Sequence, residues 1–168
     1  MPLFLFLAII FLATYGYAAY TGAPWLPTRA GDVKRFLDIA DIRPGQKLYD
    51  LGCGDGRLIC AAAKHGAKAV GYEISVLPYL LSKMRILTSG VAGNCSVKYK
   101  SFWNVNLGDA DAVYVFLTPK VNPRIREKLE KELRKKTKVI AYAFPIEGWQ
   151  PVKIDKAENR PNLYLYEI

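Results

Sequence analysis

Five alternations of strand-like and helix-like segments, closed by two strand-like runs around a polar turn, predict a doubly wound α/β domain with an antiparallel end strand. Two further features shape the expectation. A glycine-rich loop joins the first strand to its helix, and a charge-free segment precedes the domain. The chain accordingly divides into a transmembrane anchor (residues 1–21), a proline-rich linker (22–30) and the α/β domain (31–168).

The first 28 residues carry no charged side chain, although the net charge of the chain is +9. Residues 3–20 form an apolar run that would span roughly 27 Å as a helix, enough for a bilayer core. Tyr15, Tyr17, Tyr20 and Trp25 gather towards its far end, where amphipathic rings favour the interface. A cleaved signal peptide ending near Ala18 and Ala19 is the competing reading, with a buried core helix behind it; the missing basic leader and the length of the run favour the anchor. Arg29, Lys34, Arg35, Arg43 and Lys47 follow closely. The positive-inside rule then makes this a single-pass membrane protein with its domain on the cytoplasmic side, in a prokaryotic plasma membrane or, in a eukaryote, the mitochondrial inner membrane.

Within the domain, Val33, Phe36, Leu37 and Ala40 recur at helical spacing over residues 32–42, an amphipathic helix packed on the sheet edge. Arg43, Pro44 and Gly45 turn the chain into a first strand at residues 47–51, and residues 57–64 have helical composition. Residues 67–72 read as a second strand closed by Glu73. A helix follows over 75–87, with Ser75 as cap and Pro78 tolerated in its first turn. Strands are expected at 96–100 and 111–117, a helix at 123–135 with Val121, Ile125, Leu129 and Leu133 as its buried stripe, and a fifth strand at 137–144. Residues 151–155 and 163–167 flank a polar turn and pair as a hairpin. With 51% hydrophobic residues in 168, the chain can bury one core. Three cysteines at irregular spacing suit a reducing compartment, and with His65 as the only histidine no metal-ligand pattern forms.

The loop itself reads Asp50-Leu51-Gly52-Cys53-Gly54-Asp55-Gly56. Glycine is needed where a ligand lies against the backbone or where φ is positive. A dinucleotide would set its pyrophosphate on the helix N-terminus, and the flanking carboxylates of Asp50 and Asp55 would repel it. S-adenosylmethionine carries a sulfonium and an ammonium instead, so the charge sign favours that cofactor. Glu73, 19 positions after Gly54, is the acidic end of the second strand, where a carboxylate accepts from ribose hydroxyls. Asp55 reads as a helix cap.

In such a sheet ligands bind at the carboxyl ends of the central strands. That gathers Asp50, Gly52, Cys53, Gly54 and Glu73 on the cofactor, with its adenine towards Ser101 and Phe102, and leaves Thr118 and Pro119 to position the acceptor. Phe102 and Trp103 also suit a purely packing role. Asp109 and Asp111 are the carboxylates available as a base, although solvent-facing loop and strand-start positions describe them better. The alternating charges of residues 124–138 read mainly as a solvated helix face, with anionic lipid and single-stranded RNA as weaker partners.

Several stretches together carry a resemblance: the charge-free N-terminal run, Pro24-Trp25-Leu26-Pro27-Thr28, the glycine loop, Gly71-Tyr72-Glu73, Phe102-Trp103, Val115-Phe116-Leu117-Thr118-Pro119 and Gly148-Trp149-Gln150-Pro151-Val152. Over nearly its whole length the chain resembles the small membrane-bound lysine methyltransferases that modify the ATP synthase c-subunit and the adenine nucleotide translocase. The resemblance implies a Rossmann-like, seven-strand class I methyltransferase fold, S-adenosylmethionine as cofactor and a protein lysine as acceptor, in a membrane or membrane-associated protein. It assigns cofactor binding to Asp50, Gly52, Gly54 and Glu73 and acceptor contacts to Thr118 and Pro119. Ser101 departs from the pattern, since family members often carry an acidic residue there. Methyl transfer to a lipid, quinone or other small molecule, and a non-catalytic cofactor-binding assembly factor, are the alternatives. A metal is not expected, and nucleic acid is not the expected partner.

Overall fold

A computed structural model of the chain describes residues 27–168, together with Leu5, Phe6, Ile9, Leu12, Ala13, Thr14 and Gly16. In chain order its elements are α1 (Ala30–Ala40), β1 (Lys47–Leu51), α2 (Arg57–Lys64), β2 (Lys68–Glu73), α3 (Val76–Thr88), β3 (Cys95–Tyr99), β4 (Ala112–Val115), α4 (Asn122–Glu132), β5 (Lys138–Tyr142), β6 (Lys153–Asp155) and β7 (Leu163–Glu167). Short 3-10 turns, Phe102–Asn104 and Pro119–Val121, follow β3 and β4.

The strands form one sheet of 7 in the order β3-β2-β1-β4-β5-β7-β6. β1 to β5 are parallel, and β7 runs antiparallel to both β5 and β6. This is the class I methyltransferase sheet, wound outward in both directions from the β1/β4 junction. The strand order reverses at that junction, which opens a crevice at the carboxyl ends of β1 and β4. Phe36, Leu58, Ile59 and Ile86 fill the face covered by α1, α2 and α3, while Ile125, Leu129 and Leu133 fill the opposite face under α4. Burying each such side chain contributes about 1.5–3 kcal/mol.

α1 starts and stops two residues earlier than its periodicity suggests, because Asp41 takes a left-handed conformation (φ 43°) and closes the helix on Leu37. Its first turn holds a residue that the apolar pattern passes over. Asp32 is fully buried, accepting from Tyr142 Oη at 2.6 Å and Arg35 Nη1 at 2.9 Å, with Arg160 Nη1 at 3.4 Å. Arg35 also donates to Asp155 Oδ2 at 3.1 Å and to the Pro161 carbonyl at 2.9 Å, so the cluster ties α1 to β5, β6 and the turn before β7. Burial pushes the Asp32 carboxyl up, but the hydrogen bonds from Tyr142, Arg35 and Arg160 outweigh it and hold its pKa below the usual value. Replacing Asp32 by Ala leaves Arg35 its bonds to Asp155 and Pro161 but removes the buried acceptor of Tyr142 and Arg35, and the expected loss is about 1–3 kcal/mol in urea unfolding. Because the folded pKa is lowered, this stability is present above the unfolded value of about 3.9 and is lost as pH falls through the folded one. The gap between wild type and Asp32→Ala should therefore narrow only at acid pH; a gap that stays constant down to acid unfolding would contradict the assignment.

α4 stops at Glu132, short of the residue 135 that its stripe predicts, with Leu133 still buried but extended (ψ 142°). The last residue of the chain causes this. Lys136 turns left-handed (φ 70°) and donates its N–H to the Ile168 carbonyl at 2.6 Å, while Ile168 donates to Thr137 at 3.1 Å. All three cysteines are free and buried.

The single-pass, cytoplasmic-side placement does not survive, and the anchor expected at residues 1–21 lies mostly outside the described residues. Among the described residues no helix is long and apolar enough to cross a membrane. The longest element there, α3, has 13 residues, about 20 Å against a hydrocarbon core of about 30 Å.

Candidate active site

At the end of β1 the chain turns through Gly52 (φ 91°) and Gly54 (φ 54°), conformations that an L side chain rarely holds. A β-carbon on Gly52 would meet nothing within 4 Å, so the backbone stands open to a ligand. The loop is pinned from beneath. Gly52 and Cys53 both donate to the Tyr72 carbonyl at 3.0 Å, and Gly56 packs so closely on α3 that its β-carbon would lie 3.0 Å from Ser82 Cβ.

The two loop carboxylates differ completely. Asp55 receives Arg57 Nη2 and Arg85 Nη2, each at 2.7 Å on Oδ2, and Arg57 Nε on Oδ1 at 2.9 Å. Burial raises its pKa, yet the two arginines more than reverse this and hold it below the usual value. Asp55 also accepts the Arg57 N–H at 3.3 Å, but it stands one residue before the N-cap, Gly56, so its main bond is the ion pair rather than a helix cap. Asp50 is buried at the β1/β4 junction with no hydrogen-bond donor on its carboxylate among the described residues. Burial, reinforced by the negative charges of Glu73 and Asp55, pushes its pKa well above the usual range. An unneutralised carboxyl at the mouth of a crevice is complementary to a cation.

Glu73 is buried beside it and holds the loop. Its Oε2 accepts from Gly54 N–H at 2.9 Å, and its Oε1 from Ile74 at 2.8 Å and Ser75 at 2.7 Å. Those bonds occupy Oε1 and leave one lone pair on Oε2. Cys53 turns the other way: its side chain packs against Gly71 and Ile59 in the core, and burial raises its pKa. Only its main chain is left for the crevice. Arg57 further donates to the Thr28 carbonyl at 2.7 Å, and Thr28 Oγ1 lies 3.2 Å from Tyr114 Oη, so the segment ahead of α1 is fastened to the loop.

At the end of β3, Ser101 is half-buried and leads into the 3-10 turn. Phe102 is buried in the core, its ring 4.6 Å from that of Trp103. Trp103 is half-buried and carries the Arg124 guanidinium 4.1 Å above its ring. At the end of β4, Thr118 is half-buried and Pro119 exposed. Thr118 borders a cavity of about 10 Å³ together with Leu117, Asn122, Phe144 and Pro145. Phe144 is an addition to the residues expected from sequence. β5 ends at Tyr142 rather than at 144, because Ala143 takes a left-handed φ of 69° and donates to the Asn162 carbonyl at 2.9 Å. That turn redirects Phe144 to the cavity. A non-glycine residue in this conformation is strained, and nothing in the apolar run announces it.

Asp109 and Asp111 lie at the opposite end of the sheet. Asp109 accepts from Lys47 Nζ and from Tyr49 Oη at 2.8 Å, and Asp111 from the Lys47 N–H at 2.7 Å and Arg134 at 2.5 Å. Neither reaches the crevice. Among the described residues no group of three His, Cys, Asp or Glu side chains could hold a metal ion.

Residues 50–153, from the free carboxylate to the start of the hairpin, match the family model described as the ANTKMT methyltransferase domain. The chain belongs to that family. A protein-lysine N-methyltransferase of Saccharolobus islandicus is 39% identical over 150 residues, covering 86% of this chain and 93% of that protein. The adenine nucleotide translocase lysine N-methyltransferase of Mus musculus is 33% identical over 146 residues; here the chain again aligns over 86% of its length but spans only 63% of the mouse protein. Among solved structures, an RNA methyltransferase of Salinibacter ruber in complex with S-adenosyl-L-homocysteine superposes with a TM-score of 0.81 at 31% identity, covering 85% of this chain and 94% of that one. This methyltransferase domain therefore uses S-adenosylmethionine, whose positive charges suit the unneutralised Asp50.

Proposed function

We propose that residues 31–168, joined by a 22–30 linker, form a catalytic domain that methylates the ε-amino group of a lysine in a membrane or membrane-associated protein. The observation that carries the cofactor half of this reading is Asp50, a buried carboxylate at the glycine loop with no counter-charge on it among the described residues. The relatives named for a translocase and for a protein lysine support the acceptor half.

When bound, S-adenosylmethionine supplies a methyl group activated by its sulfonium. Asp50 faces the positive end of the cofactor. The main chain of Gly52, Cys53 and Gly54 lies under it, and the remaining lone pair of Glu73 Oε2 takes a ribose hydroxyl. Ser101 and Phe102 border the adenine, with a hydroxyl where relatives of this type often place a carboxylate. Thr118 and Pro119 position the acceptor, and Leu117 and Phe144 line the path of its aliphatic stem. The chain's own part would be to hold the acceptor amine in line with that methyl group, and a lysine arriving as the ammonium would first release its proton to solvent. Alignment of the partners supplies most of the acceleration.

Only a neutral amine can react. With a free pKa near 10.4, deprotonating lysine at about pH 7.4 costs roughly 4 kcal/mol. Initial rates under subsaturating acceptor should thus rise about tenfold per pH unit between about pH 7 and 9. The test is to incubate the protein with tritiated-methyl cofactor and a membrane extract containing protein, lipid and RNA, beside a Glu73→Ala control. Mass spectrometry of labelled bands should find methyl-lysine, absent with the control. Label confined to RNA would instead follow the name of the Salinibacter structure, and label confined to lipid would favour a small-molecule enzyme; either result sinks the lysine reading.

A further inference from the structure

α3 buries Pro78, Ser82 and Ile86 against the sheet. Its outer face carries Leu77, Leu80, Met84 and Leu87, which are 42%, 51%, 62% and 75% exposed. Their 3-4-3 spacing is that of the a and d positions of a heptad, with Ser82 directly opposite at f, and from Leu77 to Leu87 the seam runs about 15 Å along the helix. Tyr99 on the neighbouring edge strand, 51% exposed and 5.3 Å ring to ring from Tyr79, extends the apolar surface sideways. A contiguous exposed apolar patch of this kind marks an interaction surface. Its charge setting is one-sided: between Glu73 and Asp109 the sequence has no acidic residue, and Lys83, Arg85, Lys98 and Lys100 are the only charges.

We propose that the outer face of α3 docks an acidic amphipathic helix of a partner protein. On α3 itself the exposed apolar side chains keep to the a and d positions, the geometry of a helix–helix seam, whereas a helix lying in a bilayer surface needs a broader apolar face on the helix. Lys83 sits at the g position, where the interhelical partner residue sets the choice of helix, so glutamate or aspartate beside the partner's seam pairs with it. A second copy of this chain would bring the same cations together and is disfavoured by charge. The surface lies on a helix that neither the acceptor cavity nor the cofactor loop uses for ligand contact, so this proposal stands apart from the methyl-transfer reading.

The experiment titrates the full chain with a fluorescent synthetic helix bearing leucine at a and d and glutamate at e and g, and with its lysine counterpart. The acidic peptide should bind at least about tenfold more tightly than the basic one. Leu80→Lys with Met84→Lys should abolish that binding, and Leu80→Ile with Met84→Leu should keep it. Lys83→Glu should shift the preference towards the basic peptide. These side chains are exposed, and unchanged cofactor affinity in each variant verifies the fold independently of any acceptor. Equal affinity for both peptides, or no binding, overturns the proposal. So would co-sedimentation with anionic phosphatidylserine vesicles in the absence of peptide binding, or concentration-dependent dimers removed by the Leu80→Lys, Met84→Lys variant.

Discussion

Asp50→Asn is expected to produce a more stable ligand-free domain that has lost its methyl transfer. Asp50 has a raised folded pKa because it is buried beside Glu73 and Asp55, with no donor on its carboxylate among the described residues. A carboxyl of that kind binds a proton in the folded state at pH values where the unfolded chain has released it, so its contribution to stability falls as pH rises from about 4 through the raised value. Asparagine keeps the shape and removes the charge. Thermal melts without ligand should show the Asp50→Asn protein gaining of order 1 kcal/mol, and the gain should grow with pH across that window. The cofactor effect has the opposite sign. Removing one member of a buried charge pair costs about 2–5 kcal/mol, roughly 30-fold to several thousandfold in affinity. Wild-type binding should also take up the ionised form of Asp50, so affinity rises with pH and protons are released on binding; the variant should lack this linkage. Calorimetry in buffers of different ionisation enthalpy reads both quantities. Wild-type affinity in the variant would remove Asp50 from the cofactor site and with it the principal support for the proposed geometry.

The second large effect is expected at Gly71, in the middle of β2 and away from any ligand. Its φ is not positive, so its conformation suits any residue. The restriction is space: a β-carbon there would lie 2.7 Å from Cys53 Cβ and 3.0 Å from Ile59 Cδ1, with Cys53 Sγ nearer still. Gly71→Ala has to push the glycine loop off the strand that holds it. Overpacking of a tight core typically costs 1–3 kcal/mol, and here the displaced element also carries the main-chain groups assigned to the cofactor. We expect an unfolding free energy lowered by an amount in the upper part of that range, read from the denaturant midpoint, and cofactor affinity reduced at least about tenfold. Cys53→Gly in the same chain removes both clashing atoms and should restore much of each; Cys53→Ala keeps the β-carbon and should restore little. A Gly71→Ala protein with unaltered stability and affinity would show that the loop does not depend on this contact.

Much of the architecture was readable because it depends on local periodicity. The apolar stripes at Val33, Phe36 and Ala40 and at Val121, Ile125, Leu129 and Leu133 do face the core, and the strand–loop–helix around Asp50 follows from glycines and alternating patterns. The errors lie where distant segments meet. The predicted helix running to residue 135 yields to pairing between Lys136 and the terminal Ile168, and the fifth strand ends early because Asn162 captures Ala143. The apolar pattern could not reveal Asp32 either, since two of its three side-chain partners come from β5 and the turn near residue 160. Reading residues 3–20 as a membrane span rested on apolar length, the absence of charge and the flanking aromatic and basic residues; no described helix is long and apolar enough to cross a membrane, and most of that run lies outside the described residues.

The same division runs through the site. Residue types at fixed spacing determined that a glycine loop, Asp50 and Glu73 would meet at the carboxyl ends of adjacent strands, because the backbone conformation of the loop and the parallel order of the strands are encoded locally. Spacing alone assigned Asp50 to the cofactor and Asp55 to a helix cap, and it placed Cys53 with the ligand. Only the tertiary structure showed the partners of each. Arg85, 30 residues from Asp55, neutralises one carboxylate; the missing side chain at Gly71 draws the Cys53 thiol inward; and Asp50 is left as the charge awaiting a cation. Charge compensation and close packing depend on which atoms of remote segments come together, and spacing along a chain does not contain that information.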